Sequence, residues 1–196
     1  MVLVPTSGPT VEPVSLAETK IHLRVTGTSE DLLIASLITA GRVHLELALA
    51  CAFITQTWSW FLDDWPKRLR LDMPLGPVQS VAAIRVLTSG DVVTTLPAQS
   101  YLLTGRSLPP RLTLKERGYW SSNAPSPAYG ANGIEIEFIA GFGDTAADVP
   151  SPIRQALLLL IAHWFEQRSP IEVGRDGAEL PPMVAELTAP YRQVRL

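Results

Sequence analysis

The sequence feature that most constrains the fold is a nearly all-apolar segment near the C-terminus, from Ile153 to Phe165. Ser151 and Pro152 precede it and favour a helix start, since a proline in the first helical turn loses no hydrogen bond. Pro170 disfavours helical backbone just before it, so we predict a helix over 151–168. A helix that is apolar on almost every side must be covered on almost every side. We therefore expect a core helix whose remaining surface is covered by a neighbouring subunit.

The chain ends in a predicted short helix over 182–189 and a tail over 190–196 that is too short to fold by itself. We expect this tail to bind another protein. The arginines would pair with carboxylates or helix C-termini, and the apolar side chains would fill pockets. The four candidate binding residues are Tyr191, Arg192, Arg195 and Leu196.

The N-terminal part reads as an extended arm over 1–14 followed by two helices. Ser15 and Glu18 have the spacing of a capping box, which predicts a helix over 15–23. A longer helix is predicted over 29–51, because apolar residues repeat at spacings of four and three on one face. The predicted core face consists of Leu33, Leu37, Ala40, His44, Leu47 and Cys51, and the predicted outer face of Ser36, Thr39, Arg42 and Glu46.

The middle of the chain changes to a period of two, which is typical of strands. Alternation is clearest from Ile54 to Leu62. Further strands are predicted over 69–71, 78–87, 92–96, 101–103, 111–114 and 134–140. The predicted fold is therefore α+β: one connector domain over 1–196, with a helical bundle that carries an antiparallel β-rich insertion over 54–140.

Composition narrows the class of function. With 196 residues and 46% apolar composition the chain can bury a substantial core, while only 18% of its residues are charged, which favours a surface partly covered by partners. The net charge of −3 argues against binding driven by DNA phosphates. We also expect no signal peptide and no membrane partner, because the longest apolar stretch, Ala156 to Phe165, is shorter than the ~20 residues that span a bilayer.

Catalytic and metal-binding patterns are weak. Asp63 and Asp64 fit a polar turn better than a cation site, and Glu135 with Glu137 fits a solvated strand face better than an acid–base pair. One cysteine and the three scattered histidines His22, His44 and His163 do not supply a zinc site, so we predict no cofactor, no metal and no enzymatic activity. Gly141 and Gly143 lack the rest of a dinucleotide fingerprint. The five tryptophans, which could stack on bases or sugars, are expected mainly in cores: Trp58, Trp60, Trp65, Trp120 and Trp164.

The order of several short motifs resembles the head-tail connector family of long-tailed bacteriophages, also called adaptor or head-completion proteins, which includes proteins of gene transfer agents. The resemblance covers most of the chain. It rests on the segments Val11–Glu18, His22–Val25, Ser29–Ile34, Ile54–Trp58, Ala140–Asp144, Val149–Ala156, Ala162–Glu166 and Pro190–Arg192.

This resemblance implies a structural virion protein at the neck, assembled in the host cytoplasm. It implies a ring of twelve copies beneath the portal protein, a tail or neck stopper protein as a further partner, and DNA passing through the lumen without sequence-specific binding. It also implies that the C-terminal segment reaches toward the portal. An alternative from another class is a phage module that binds carbohydrate or a host surface through tryptophans of the β-rich part, and a third is a small hydrolase.

Overall fold

The computed structural model describes residues 1–66, 70–89, 92–104, 109–115, 125–127, 132–167 and 180–192. The chain forms two compact units. We call them the β unit, which includes Met1–Pro9 and Thr55–Gly141, and the helical unit, which consists of Thr10–Ile54 and Phe142–Arg192. The predicted α+β class is confirmed. The predicted arm is in part a strand, because Val2–Ser7 pairs with the β unit.

The four predicted helices are present in the helical unit, each within about two residues of its predicted bounds. Ser15 accepts the N–H of Glu18 at 3.1 Å, as a helix N-cap does. The Glu18 carboxylate does not close the predicted capping box but pairs with Arg154. The helices are α1 Leu16–Leu23, α2 Asp31–Leu49, α3 Ser151–Glu166 and α4 Pro182–Thr188.

The β unit contains two antiparallel sheets. Their strands are β1 Val2–Ser7, β2 Gln56–Leu62, β3 Arg70–Asp72, β4 Val78–Thr88, β5 Val92–Thr95, β6 Tyr101–Thr104, β7 Arg111–Leu114 and β8 Ile134–Ala140. The larger sheet has the order β1-β2-β8-β4-β5, and the smaller has the order β3-β7-β6. The sequence pattern therefore predicted each described strand that lies within 54–140, namely β2 to β8.

The larger sheet buries one row of apolar side chains through the pairing of its central strands. Trp60 of β2 and Ile84 of β4 both stand opposite Ile136 of β8, and all three are buried. On the next positions of β8, Glu135 and Glu137 point to the other face. This period-two division explains why the sequence pattern located the strands so well.

The apolar helix α3 is covered by its own chain, contrary to the expectation of a large surface left for a neighbour. Among the described residues, every large apolar side chain of α3 is buried or half-buried. Its buried residues belong to the same core cluster as Ile34, Leu45 and Val184. α3 packs against both α2 and α4, and these contacts cover much of its apolar surface.

The predicted core face of α2 is wrong in part: Leu37 and His44 are half-buried and Cys51 is buried, but the other three positions are not. The buried positions are Ile34, Ile38, Gly41, Arg42, Leu45, Glu46 and Leu49, whereas Leu33, Ala40 and Leu47 are exposed. The residues of the observed buried face each come about one position after those of the predicted face. Apolar residues occupy two different faces of α2, so the spacing alone fitted both orientations.

Gly41 explains which face of α2 turns inward. A Cβ atom at this position would lie 2.8 Å from Leu157 Cδ1 and 3.5 Å from Ile161 Cγ1. The missing side chain thus lets α3 approach α2 closely. Glycine destabilises a helix interior by roughly 0.5–1 kcal/mol relative to alanine, so its presence at mid-helix marks a position where close packing outweighs that cost.

The two charged residues on the buried face of α2 are paired. Arg42 donates from Nε to Glu12 Oε2 and from Nη1 to Glu46 Oε2, both at 2.8 Å. Glu46 Oε1 accepts the backbone N–H of Phe53 at 2.8 Å. Burial lowers the pKa of Arg42, but the hydrogen bond to Glu12 and the charges of Glu46 and Glu12 outweigh it and raise the pKa above its ordinary value. These bonds allow charged side chains to lie in the core.

A second ion pair fixes the N-terminal segment on α3. Arg154 donates from Nη2 to both carboxylate oxygens of Glu18, at 2.7 and 2.8 Å, and from Nε to the carbonyl of Pro13 at 3.0 Å. One planar guanidinium therefore holds α1 and the preceding segment in place.

Candidate functional surfaces

The first catalytic candidates, Asp63 and Asp64, form a polar turn. Asp63 Oδ1 accepts the backbone N–H of Asn132 at 2.9 Å, and its other oxygen lies 3.8 Å from the amino group of Met1. Asp64 accepts the N–H of Trp65 at 2.7 Å. The two carboxylates are thus used to close a loop.

The second carboxylate pair is bound to an arginine. Arg85 of β4 donates to Glu135 at 3.1 Å and to Glu137 at 2.6 Å, and Glu135 also accepts from Ser59 at 2.8 Å. The hydrogen bonds that Arg85 donates to Glu137 and Glu135 raise the pKa of Arg85. This polar row crosses three strands of the larger sheet and has the bonding of a cross-strand ion pair.

The histidines and the cysteine lie apart. His44 of α2 meets the ring of Trp164 of α3 edge-on, with 5.5 Å between the ring centroids. Cys51 is buried, as predicted, and donates to the carbonyl of Tyr191 at 3.4 Å. Within the described part of the chain, no three side chains of the types His, Cys, Asp and Glu are grouped so that they could hold a metal ion.

The glycine motif after β8 has a structural use in each unit. Gly141 has φ of +141°, a region that favours glycine, and its N–H donates to Pro77 at 2.9 Å. A Cβ at Gly143 would lie 2.4 Å from Asp148 Cγ. The Asp148 carboxylate accepts both the N–H and the hydroxyl of Thr145, and these bonds lower its pKa.

None of the tryptophans that the structure describes is exposed. Trp60 is buried, and Trp58, Trp65 and Trp164 are half-buried. The indole N–H of Trp65 donates to a backbone carbonyl at 3.0 Å, and that of Trp58 is buried with no partner among the described residues. Trp120 lies outside the described residues. These rings therefore have the packing of core residues and not of a stacking platform.

The predicted tail residues are only partly described. Tyr191 lies half-buried on the helical unit, with its ring edge-on to Phe142 at 6.3 Å between centroids. Arg192 is exposed. Arg195 and Leu196 lie outside the described residues. Tyr191 is thus held on the helical unit by its contact with Phe142.

The exposed side of α2 includes Leu33, Ala40 and Leu47, which the sequence pattern assigned to the core. We call it the outer stripe and define it by Leu32, Leu33, Val43 and Leu47, which are 89%, 38%, 42% and 77% exposed. Ser36 and Ala40 lie between them and are also exposed. The signal that would have found this face is Gly41, which with Ile34, Ile38 and Leu45 forms an equally regular repeat on the other side.

Among the described residues, α2 is the one helix whose length and apolar composition would suffice to cross a membrane. Core helices of soluble proteins meet the same criteria, and 39% of the apolar window is buried within the chain. The paired charges of Arg42 and Glu46 also lie on the buried face.

The fold was compared with known proteins. One matching structure is described as the neck of an empty gene transfer agent (GTA) particle computed with C6 symmetry, with 28% identity and a TM-score of 0.81. Another is the virion of a native GTA particle, with 28% identity and a TM-score of 0.78. A third is the neck of a native GTA particle computed with C12 symmetry, with 26% identity and a TM-score of 0.76. Each match covers 100% of this chain and 97% of the other.

The predicted resemblance to head-tail connectors is confirmed. Because each match covers the whole chain, the shared structure includes both the β unit and the helical unit. No family model and no curated protein sequence matches the chain. The connector resemblance therefore rests on the shared structure and on the order of the short sequence motifs.

Proposed function

We propose that this chain is a head-tail adaptor, a structural and non-enzymatic protein of the virion neck. In this proposal twelve copies form a ring beneath the portal protein, extend the DNA channel and offer a docking face to a tail or neck stopper protein. The observation that carries the proposal is the match over the full chain to components of symmetric GTA particles. The ring would assemble in the host cytoplasm.

The charge of the chain fits passive contact with DNA. A net charge of −3 gives no basic track to bind many phosphates, so the nucleic acid would move through the lumen without sequence-specific binding. The paired state of Glu135 and Glu137 also fits a structural role, since Arg85 binds both carboxylates.

The tail would make the contact with the portal. Tyr191 would hold the base of the tail on Phe142. Arg192, which is exposed, would pair with portal carboxylates, as would Arg195, and Leu196 would enter an apolar pocket. Arginine suits such a contact because its guanidinium binds carboxylates through two parallel hydrogen bonds.

The test is electron microscopy of the full chain mixed with its cognate portal. We expect a ring of copies on one face of the portal. Deleting 192–196 should abolish attachment while the far-ultraviolet circular dichroism stays unchanged, because Tyr191 and its packing are retained. A truncated chain that attached normally would refute the role of the tail, and a full chain that never joined the portal would refute the adaptor function itself.

A further inference from the structure

Among the described residues of the helical unit, α2 carries more exposed large apolar side chains than any other helix, and they form the outer stripe. Four exposed large apolar side chains lie on α2, against one each on α1 and α4 and none among the described residues of α3. From Leu32 to Leu47 the stripe extends about 22 Å along the helix, given a rise of ~1.5 Å per residue. Contiguous exposed apolar surface of this kind marks an interaction site.

The arrangement of charge on α2 strengthens this point. A helix on a solvated surface carries its charged residues outward, whereas α2 turns Arg42 and Glu46 inward and leaves leucines and a valine outside. The small Ser36 and Ala40 between them leave room for side chains of a partner. The stripe itself has no charged side chain. It therefore offers no cation to bind DNA phosphates or the carboxylates of an acidic partner.

We propose that the outer stripe of α2 is one side of the contact between neighbouring copies of this chain in a ring. This inference rests on the adaptor function proposed above. The matching structures belong to assemblies with C6 or C12 symmetry, in which each copy of a ring component adjoins two others. An apolar and uncharged surface is the kind that contacts between identical subunits bury.

In a closed ring, each copy uses two different surfaces to contact its two neighbours. In a cyclic ring the interface is heterologous, so the stripe of one copy meets a different surface on the next. A copy with a damaged stripe therefore keeps the complementary surface intact. Mixed with unaltered copies, it should join a growing ring on one side and stop further addition on the other.

The variant that tests the inference is Leu32→Glu with Leu47→Lys. The two changes keep the net charge at −3, and they place an acidic residue near the N-terminus of α2 and a basic one near its C-terminus, where the helix dipole favours them. The matched control is Val92→Glu with Val93→Lys in the edge strand β5, which alters two exposed apolar residues of the β unit by the same charges.

We expect the stripe variant to show at least a tenfold lower occupancy of copies on the cognate portal, and the β5 variant to match the unaltered chain. The loss follows because each buried leucine replaced by a charge weakens association by roughly tenfold or more. A sub-stoichiometric amount of the stripe variant should also reduce ring completion by unaltered copies. Thermal melting followed by circular dichroism checks that the free variants remain folded.

A second measurement does not depend on a disruptive change. A photo-crosslinking amino acid placed at Val43, which lies on the stripe one turn before Leu47, should give a chain–chain adduct on the portal. An adduct with the portal, partition of α2 into phospholipid vesicles, or no adduct would each overturn the inference. If the unaltered chain joins the portal but the stripe variant and the crosslink do not behave as expected, the role of the stripe is refuted and the adaptor function is not. If the unaltered chain does not join, the adaptor function falls first.

Discussion

Replacing Arg42 by methionine tests how the buried charges of α2 are held. The side chains of Arg42 and Glu46 are only 9% and 10% exposed, and they are joined by a 2.8 Å hydrogen bond. Methionine keeps the length and the apolar stem of arginine but removes the guanidinium that binds the Glu46 carboxylate. Breaking a buried pair by removing one partner costs about 3–5 kcal/mol. Glu12 contributes less to this cost, because its side chain is 31% exposed and water can solvate it.

A second variant separates charge from packing. In Arg42→Met with Glu46→Gln, the glutamine has no charge but keeps a side-chain oxygen for the N–H of Phe53, which Glu46 now accepts at 2.8 Å. We expect the double variant to lose only about 1–2 kcal/mol, the range for a weakened hydrogen-bond network. The difference between the single and double variants would then measure the cost of a charge on Glu46 once the Arg42 guanidinium is removed.

The assay is urea unfolding followed by circular dichroism at the helix band, because all four helices belong to the helical unit. The single variant should lower the unfolding free energy by about 3–5 kcal/mol, a large part of the about 5–15 kcal/mol typical of a folded domain. A single variant within about 1 kcal/mol of the unaltered chain would refute the reasoning. So would a double variant no more stable than the single one, because the cost would then not come from the buried charge.

Two further predictions concern packing and chemistry. Gly41→Val should destabilise the helical unit by about 1–3 kcal/mol, because the added side chain overpacks against Leu157. The control Ala40→Val, at the adjacent exposed position, should change the unfolding free energy by less than about 0.7 kcal/mol. Both values are measured by urea unfolding. Glu135→Gln with Glu137→Gln should leave attachment to the portal unchanged in electron microscopy, and a loss of attachment in a folded variant would revive a chemical role for these carboxylates.

The strands and helices were predictable because their patterns are local. Along β8 each residue alternates between the two faces of the sheet, so Ile134, Ile136 and Phe138 share the buried face wherever the strand is placed. Pro170 and Ser15 likewise act on the backbone within one turn. The connector resemblance rested on the order of such local motifs, and the full-length structural match agrees with it.

The orientation of α2 was not predictable in the same way. Its apolar residues fit a core face through Leu33 and Leu47 as well as one through Ile34 and Leu45, and charges at 42 and 46 favoured the wrong choice. The deciding contacts join residues far apart in the sequence. Arg42 meets Glu12 thirty positions earlier, and the missing side chain of Gly41 is matched by Leu157 on α3.

The sequence by itself determined the α+β class, the approximate bounds of the helices and of strands β2 to β8, and the burial of Cys51, since each follows from a short-range period or from a backbone restriction. Only the tertiary structure decided that α3 is covered by its own unit and that α2 leaves an apolar face outside. The physical reason is that a charged side chain enters a core only when a distant partner neutralises it, and no local pattern records where that partner comes from.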